Sequence, residues 1–207
     1  MAPDRHPHAR LLRGLLGEGG VAEPEEVAAR AGVSAQAAGE TLSALEREGL
    51  LERTPEGAYR AARLDSSELR ELYPAVLMLE SVAVRDGPPC SEADLAALRA
   101  ANARLRASAG DSAEAALADD EFHRRLTSGC GNERLLAVLD PVRRALLRYE
   151  RVYMLSPEHI ARSAAQHDEI IEALEAGDRR LAADLVRENF TSAMPDLTAE
   201  LDKRGEG

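Results

Sequence analysis

The chain has 207 residues, enough for one medium domain or two small ones, and its 44% hydrophobic content suffices for a core, which 3% aromatics and no Trp leave to Ala, Leu, Val and Ile. A formal net charge of −11 opposes loose, sequence-independent association with nucleic acid. No apolar run approaches membrane-spanning length, no basic segment precedes a hydrophobic stretch at the start, and Cys90 and Cys130 make no disulfide framework, so a cytoplasmic chain with no membrane partner is expected.

Residues 8–20, HARLLRGLLGEGG, predict a short helix with Leu11, Leu12, Leu15 and Leu16 on its buried side. A second helix is expected over 24–31, where Pro24 suits a first turn, Glu25 and Glu26 complement its positive end, and Gly32 stops it. Ser34 caps a third, with Ala38, Leu42 and Leu45 at helical spacing and Gly49 as its end. LLERTPEGAYRAARL then reads as two short strands, with Leu51 in one, Tyr59 in the other and Pro55 and Gly57 in the turn. Three helices and a hairpin, in that order, describe a winged helix-turn-helix over residues 1–64, with the helix starting at Ser34 in a major groove. The exposed groups for such contact are Ser34, Gln36, Glu40, Thr41 and Arg47, with Arg53 and Arg60 on the wing. This segment holds 8 Arg against 10 acidic residues, nearer neutral than the rest but not basic. A three-helix unit used only for packing or dimerisation is the competing reading.

From residue 65 to 207 the period lengthens into an all-helical antiparallel bundle. The first helix follows Ser66 or Ser67 as cap, with Leu69, Leu72, Val76, Leu79 and Ala83 as its stripe and Pro74 as a bend or fresh start. Ser91 with Asp94 forms a capping signal for the second, which ends before Gly110. The third spans about 112–126, and the fourth about 132–153, in two pieces if Pro141 interrupts it. The fifth runs from 156 or 157 to 176, stopped by Gly177, and the last from 178 to 194 with Pro195 just beyond.

The chain has five His, two of them in the opening His6–Pro7–His8. Asp119 and His123 are four apart, so one helix face presents both to a single ion. His167 lies on the fifth helix and the neutral Asn189 on the last. A carboxylate and two imidazoles make an N/O site suited to zinc, nickel, manganese or iron, with a water-filled polar pocket as the alternative. His159 falls about 80° off the face of His167 on an ideal helix, so it is expected at the edge or surface. Arg148 and Arg162 could bind a carboxylate, and Tyr149 and Tyr153, one turn apart, could line the cavity or pack in the core.

With these residues in hand, the chain resembles the GntR regulators of the FadR-like class, which join a winged helix to a helical effector domain called FCD. The resemblance rests on residues 21–62 and on ELYPAVLMLESVAVR, DDEFHRRL, NERLLAVL, QHDEIIEALEAGD and RENF in FCD order. It implies a homodimer on a palindromic operator whose DNA affinity changes when a small metabolite enters the bundle. It also implies a divalent metal, zinc first, held by Asp119, His123 and His167, with Asn189 where the family has a third His. The family's recognition-helix arginines fall on Ala35 and Glu40. An arginine that faces the effector carboxylate falls on Val76, which suits a less acidic or larger apolar effector.

The leading expectation is a metabolite-responsive DNA-binding regulator. The alternatives are a metal-dependent enzyme or metabolite-binding protein derived from one, for which the sequence supplies no catalytic pair, and a dimeric interaction module that does not bind DNA.

Overall fold

The change of period near residue 64 is a structural boundary. The computed structural model describes residues 21–47, 50–108 and 110–204, and the chain divides into two compact units between Arg63 and Leu64. The expected helix carrying Leu11, Leu12, Leu15 and Leu16, and the stop at Gly49, lie outside the described residues.

In the first unit α1 (Pro24–Ala31) opens on Pro24 with Glu25 and Glu26 in its first turn, and ends where Gly32 takes a left-handed conformation, φ +67°. For α2 (Ala35–Arg47), the Ser34 hydroxyl accepts from Ala37 N–H at 3.2 Å, and Ala38, Leu42 and Leu45 are buried. Strands β1 (Leu51–Arg53) and β2 (Tyr59–Ala61) pair antiparallel with Leu51 opposite Ala61 and Arg53 opposite Tyr59. The turn between them needs Gly57 at φ +98°, and Ala22 adds a bridge to Tyr59. Helix, helix and hairpin follow in winged-helix order.

The second unit is all helix: α3 (Ser66–Asp86), α4 (Glu92–Ala107), α5 (Ser112–Ser128), α6 (Glu133–Tyr153), α7 (Pro157–Glu175) and α8 (Arg179–Arg204). The most extensive packing is α3 on α8, with α4 on α5 and α7 on α8 next. Ser91 and Asp94 form a full capping box at α4. The cap of α3 is Asp65, which accepts from Ser67 N–H at 2.8 Å, rather than Ser66 or Ser67. The buried line of α3 runs through Leu69, Tyr73, Val76, Glu80 and Ala83, while Leu72 and Leu79 are only half-buried.

Prolines read as breaks are absorbed. Pro74, Pro141 and Pro195 all sit inside continuous helices, each on an exposed face where water can satisfy the carbonyl that loses its N–H partner. The last helix therefore runs ten residues past the expected end at Met194, drawn on by Leu197 and Leu201, both fully buried. Among the described residues no helix is long and apolar enough to cross a membrane. Replacing Leu197 by Ala should cost about 2–5 kcal/mol of stability, read as an earlier urea midpoint with unchanged slope; an unshifted midpoint would mean the segment after Pro195 adds nothing to the core.

Candidate metal centre

Each bundle helix packs a stripe repeating at three and four residues, and three of those stripes carry charge inward. On α3 the charged position is Glu80, fully buried; on α5 they are Asp119 and His123; on α6 they are Arg143 and Glu150. His167, on α7, has no exposed surface at all.

Asp119 joins the two imidazoles. Its Oδ2 lies 3.8 Å from His123 Nε2, and its Oδ1 lies 3.6 Å from His167 Nε2. One donor atom from each of the three falls within 4.8 Å of the others. Donors sharing one ion at about 2.1 Å each stand roughly 3–4 Å apart, so the spacing needs only slight contraction. The adjoining cavity measures about 20 Å³ and is lined by Val76, Glu80, Asp119, His123, Arg143 and Glu150 among others. That is room for one water or ion, since a water needs about 10–15 Å³ of such space.

Glu80 orients this set. Its Oε2 is 2.7 Å from His123 Nδ1, and its Oε1 accepts from Arg143 Nε at 2.8 Å. Arg143 Nη2 also donates to the His123 carbonyl at 2.7 Å and to Thr127 Oγ1 at 2.8 Å. With Nδ1–H of His123 committed to Glu80, Nε2 is the nitrogen turned to the triad; it carries the second proton of the metal-free imidazolium, and a bound ion would displace that proton, the arrangement by which outer carboxylates fix a ligating imidazole. His167 stacks on Phe122, ring centroids 3.7 Å apart and planes 5° from parallel, yet both its ring nitrogens are buried without a hydrogen-bond partner. Two orphaned nitrogens in a core are costly, and an ion at Nε2 would relieve one of them. The residues present therefore fit a divalent metal.

The electrostatics follow from burial. Burial works against charge on His123, but the ion pair and hydrogen bond with Glu80, aided by Asp119, raise its pKa to about 9. Glu150 is raised to about 8 by burial and then by the charge of Asp119, and it accepts from the Tyr73 hydroxyl at 3.1 Å. Asp119 is raised as well, chiefly by burial, while His167 is pushed well below its ordinary range by burial and the nearby charge of His123.

The other expected residues are placed as follows. Asn189 is buried, and its Nδ2 donates to Gln166 Oε1 at 2.9 Å. Of the four effector candidates, Val76 lines the cavity. Arg148 pairs with Glu68, and Tyr149 OH meets the same carboxylate and accepts from Asp65 N–H at 3.0 Å, so this pair grips the start of α3. Arg162 binds the Tyr153 hydroxyl and Asp196, with His159 stacked on Tyr153. In the first unit Ser34, Gln36, Arg47, Arg53 and Arg60 are exposed and Thr41 is half-buried. Gln36 Nε2 donates to Glu40 at 3.0 Å, Thr41 Oγ1 donates to the Ala37 carbonyl at 2.8 Å, and Arg47 Nε donates to the Ser43 carbonyl at 3.3 Å. Arg53 pairs with Glu46 and Arg60 with Glu52. Glu80, Arg143 and Glu150 were not foreseen. The available signal was charge at stripe positions: Glu80 four residues after Val76, Arg143 four after Leu139, Glu150 three after Leu147.

His123 and Glu150 each keep a proton in the fold that the unfolded chain has released. Their contributions are full below the ordinary values and are lost as pH rises, between 4.5 and about 8 for Glu150 and between 6.5 and about 9 for His123. The metal-free protein should therefore lose stability from pH 7 to 9, by up to about 1.4 kcal/mol per pH unit per group, in urea titrations with chelator present. Glu80→Gln should flatten that slope; a level profile in the parent protein would contradict the assignment.

Comparison with known proteins agrees with this architecture. The FCD domain family matches residues 71–192. The HTH-type transcriptional repressor GlaR of Escherichia coli strain K12 is 28% identical over 169 residues, covering 75% of this chain and 76% of its own. Among solved structures, transcriptional regulator GntR from Rhodococcus sp. RHA1 superposes with a TM-score of 0.74 at 21% identity, covering 92% of this chain and 95% of that one. The Escherichia coli protein McbR/YncC gives 0.73 at 16% identity, covering 91% and 92%. The family match spans more than half of the chain, which therefore belongs to the FCD domain family.

Proposed function

We propose that this chain is a cytoplasmic, homodimeric, metabolite-responsive regulator that binds a double-stranded operator through residues 1–64 and loads a divalent metal in the helical unit of residues 65–207. The observation that carries the reading is the buried Asp119, His123 and His167 triad inside an FCD bundle. Zinc suits two imidazoles and a carboxylate, with nickel, manganese and iron next; Asn189 would add a neutral carbonyl oxygen where a fourth ligand is required. The ion supplies a fixed positive charge to which an oxygen of a small effector can anchor. The relative GlaR is named a repressor, so repression is the proposed sign.

The cavity beside the triad has room for an ion or a water and no more, so an effector must move the helices apart. Helix α6 is placed to carry that movement. Arg143 and Glu150 on it line the cavity, while Arg148 and Tyr149 hold Glu68 and Asp65 at the point where the helical unit begins. Effector entry would thus bias the segment joining the two units, which shifts the population between operator-competent and incompetent dimers. On this reading Arg148 and Tyr149 transmit the signal instead of touching the effector.

For DNA contact the proposed groups remain Ser34, Gln36, Thr41, Arg47, Arg53 and Arg60. The pairs Arg53–Glu46 and Arg60–Glu52 are exposed ones of the kind worth about 0–1 kcal/mol, so DNA phosphate can displace the carboxylates at small cost. The enzyme reading has one feature in its favour, the proton-holding Glu150 beside the triad, but GlaR and the Rhodococcus protein are named as transcriptional regulators, and the regulatory reading stands ahead.

The deciding measurement pairs metal content with DNA retention. Purified protein should carry about one metal per chain and shift a fragment of its own promoter at low salt. His167→Ala should lower metal affinity by a factor of 10–100 or more and remove the metal-dependent part of the DNA response. A protein that retains no promoter fragment, loaded or stripped, refutes the regulatory reading, and metal-dependent turnover in that case would favour the enzyme.

A further inference from the structure

Away from the metal centre, α3 and α8 approach closely enough for the Ser81 hydroxyl to lie 3.3 Å from the Ala183 carbonyl. Along the outer side of this contact runs a groove of about 170 Å³, lined by Ser81 and Arg85 of α3 and by Arg180, Ala183, Asp184 and Arg187 of α8. In the same measure the space beside the triad is only about 20 Å³, so the groove is several times larger.

Three arginines and one aspartate line it, in a chain whose net charge is −11. The carboxylate neutralises little: Asp184 lies 3.9 Å from Arg187 and its side chain is 74% exposed. Arg85 is held by its neighbour Asp86 at 2.7 Å, both side chains more than half exposed, a pair that a better acceptor can displace. Arg180 has no acid within ion-pair distance among the described residues. Planar guanidinium forks suit an anion with several oxygens, and three arginines along one groove exceed what a single surface ion pair uses.

We propose that this groove is a second ligand site, separate from the metal centre, for a small molecule carrying a phosphate group. A tetrahedral dianion can accept from forks on both helices at once, and the remaining volume admits the carbon portion of a phosphate ester. An occupant would bridge α3 and α8 next to Ser81, one residue from the Glu80 that orients His123.

Titration calorimetry on the full chain tests this, with inorganic phosphate, glycerol 3-phosphate and ionic-strength-matched chloride as separate titrants. Saturable heat is expected from both phosphates and none from chloride. Arg180→Ala and Arg187→Ala should each weaken binding at least fivefold without moving the melting temperature, because both side chains are exposed. His167→Ala should leave phosphate affinity unchanged, which separates the two sites. Equal heats from chloride, or undiminished binding by Arg180→Ala, would overturn the site. So would an Arg180-dependent affinity for random duplex DNA with none for either small phosphate, which would make the groove a macromolecular contact.

Discussion

Glu80 is the constraint on which the helical unit depends. A carboxylate with no exposed surface is tolerable only if its charge is met, and here one oxygen takes Arg143 while the other takes His123. Those partners come from α6 and α5, so one side chain of α3 fixes the spacing of three helices. The same contact decides which nitrogen of His123 is free. Structure and site are therefore not separable here: the interaction that satisfies the core also presents Nε2 of His123 to Asp119 and His167.

The interior around Glu80 is a chain of compensations. Arg143 is satisfied in several directions, by Glu80, the His123 carbonyl and Thr127. Among the described residues the Glu150 carboxyl meets the Tyr73 hydroxyl alone, and burial beside Asp119 keeps its proton on. His167 has nothing at either nitrogen among the described residues. Polarity is thus fully answered at one end of the cavity and unanswered at the other, and the unanswered end is where the triad converges. A ligand that brings positive charge completes this interior; one that brings only negative charge meets Glu80 and Asp119.

Local patterns were legible in the sequence and long-range pairings were not. Helix positions followed from apolar spacing at Ala38, Leu42 and Leu45 and from the Ser91–Asp94 box, because those signals lie within one or two turns. Asp119 and His123 were legible for the same reason, and His167 because few His compete with it. Pro195 misled because the break it signals was outweighed by Leu197 and Leu201, whose burial depends on other helices. Glu80, Arg143 and Glu150 look locally like charged gaps in apolar stripes. Only their meeting, across 43 residues from Glu80 to His123 and 63 from Glu80 to Arg143, turns them into core.

Ion pairs in the helical interior and on the wing differ in exposure. In the helical interior, Glu80 with Arg143 and His123 is sealed from solvent, so breaking any member leaves a buried charge and the arrangement is all or none. On the wing, Arg53–Glu46 and Arg60–Glu52 lie in water, where each partner can be exchanged at little cost. Sealed pairing fixes side-chain positions, whereas exposed pairing leaves Arg53 and Arg60 able to take another acceptor. Arg148 is intermediate, since its own side chain is 5% exposed while that of its partner Glu68 is 37% exposed. It sits on the helix that lines the cavity and grips Glu68 in the first turn of α3, so a shift of α6 would be felt at Asp65 and Glu68, where the helical unit begins.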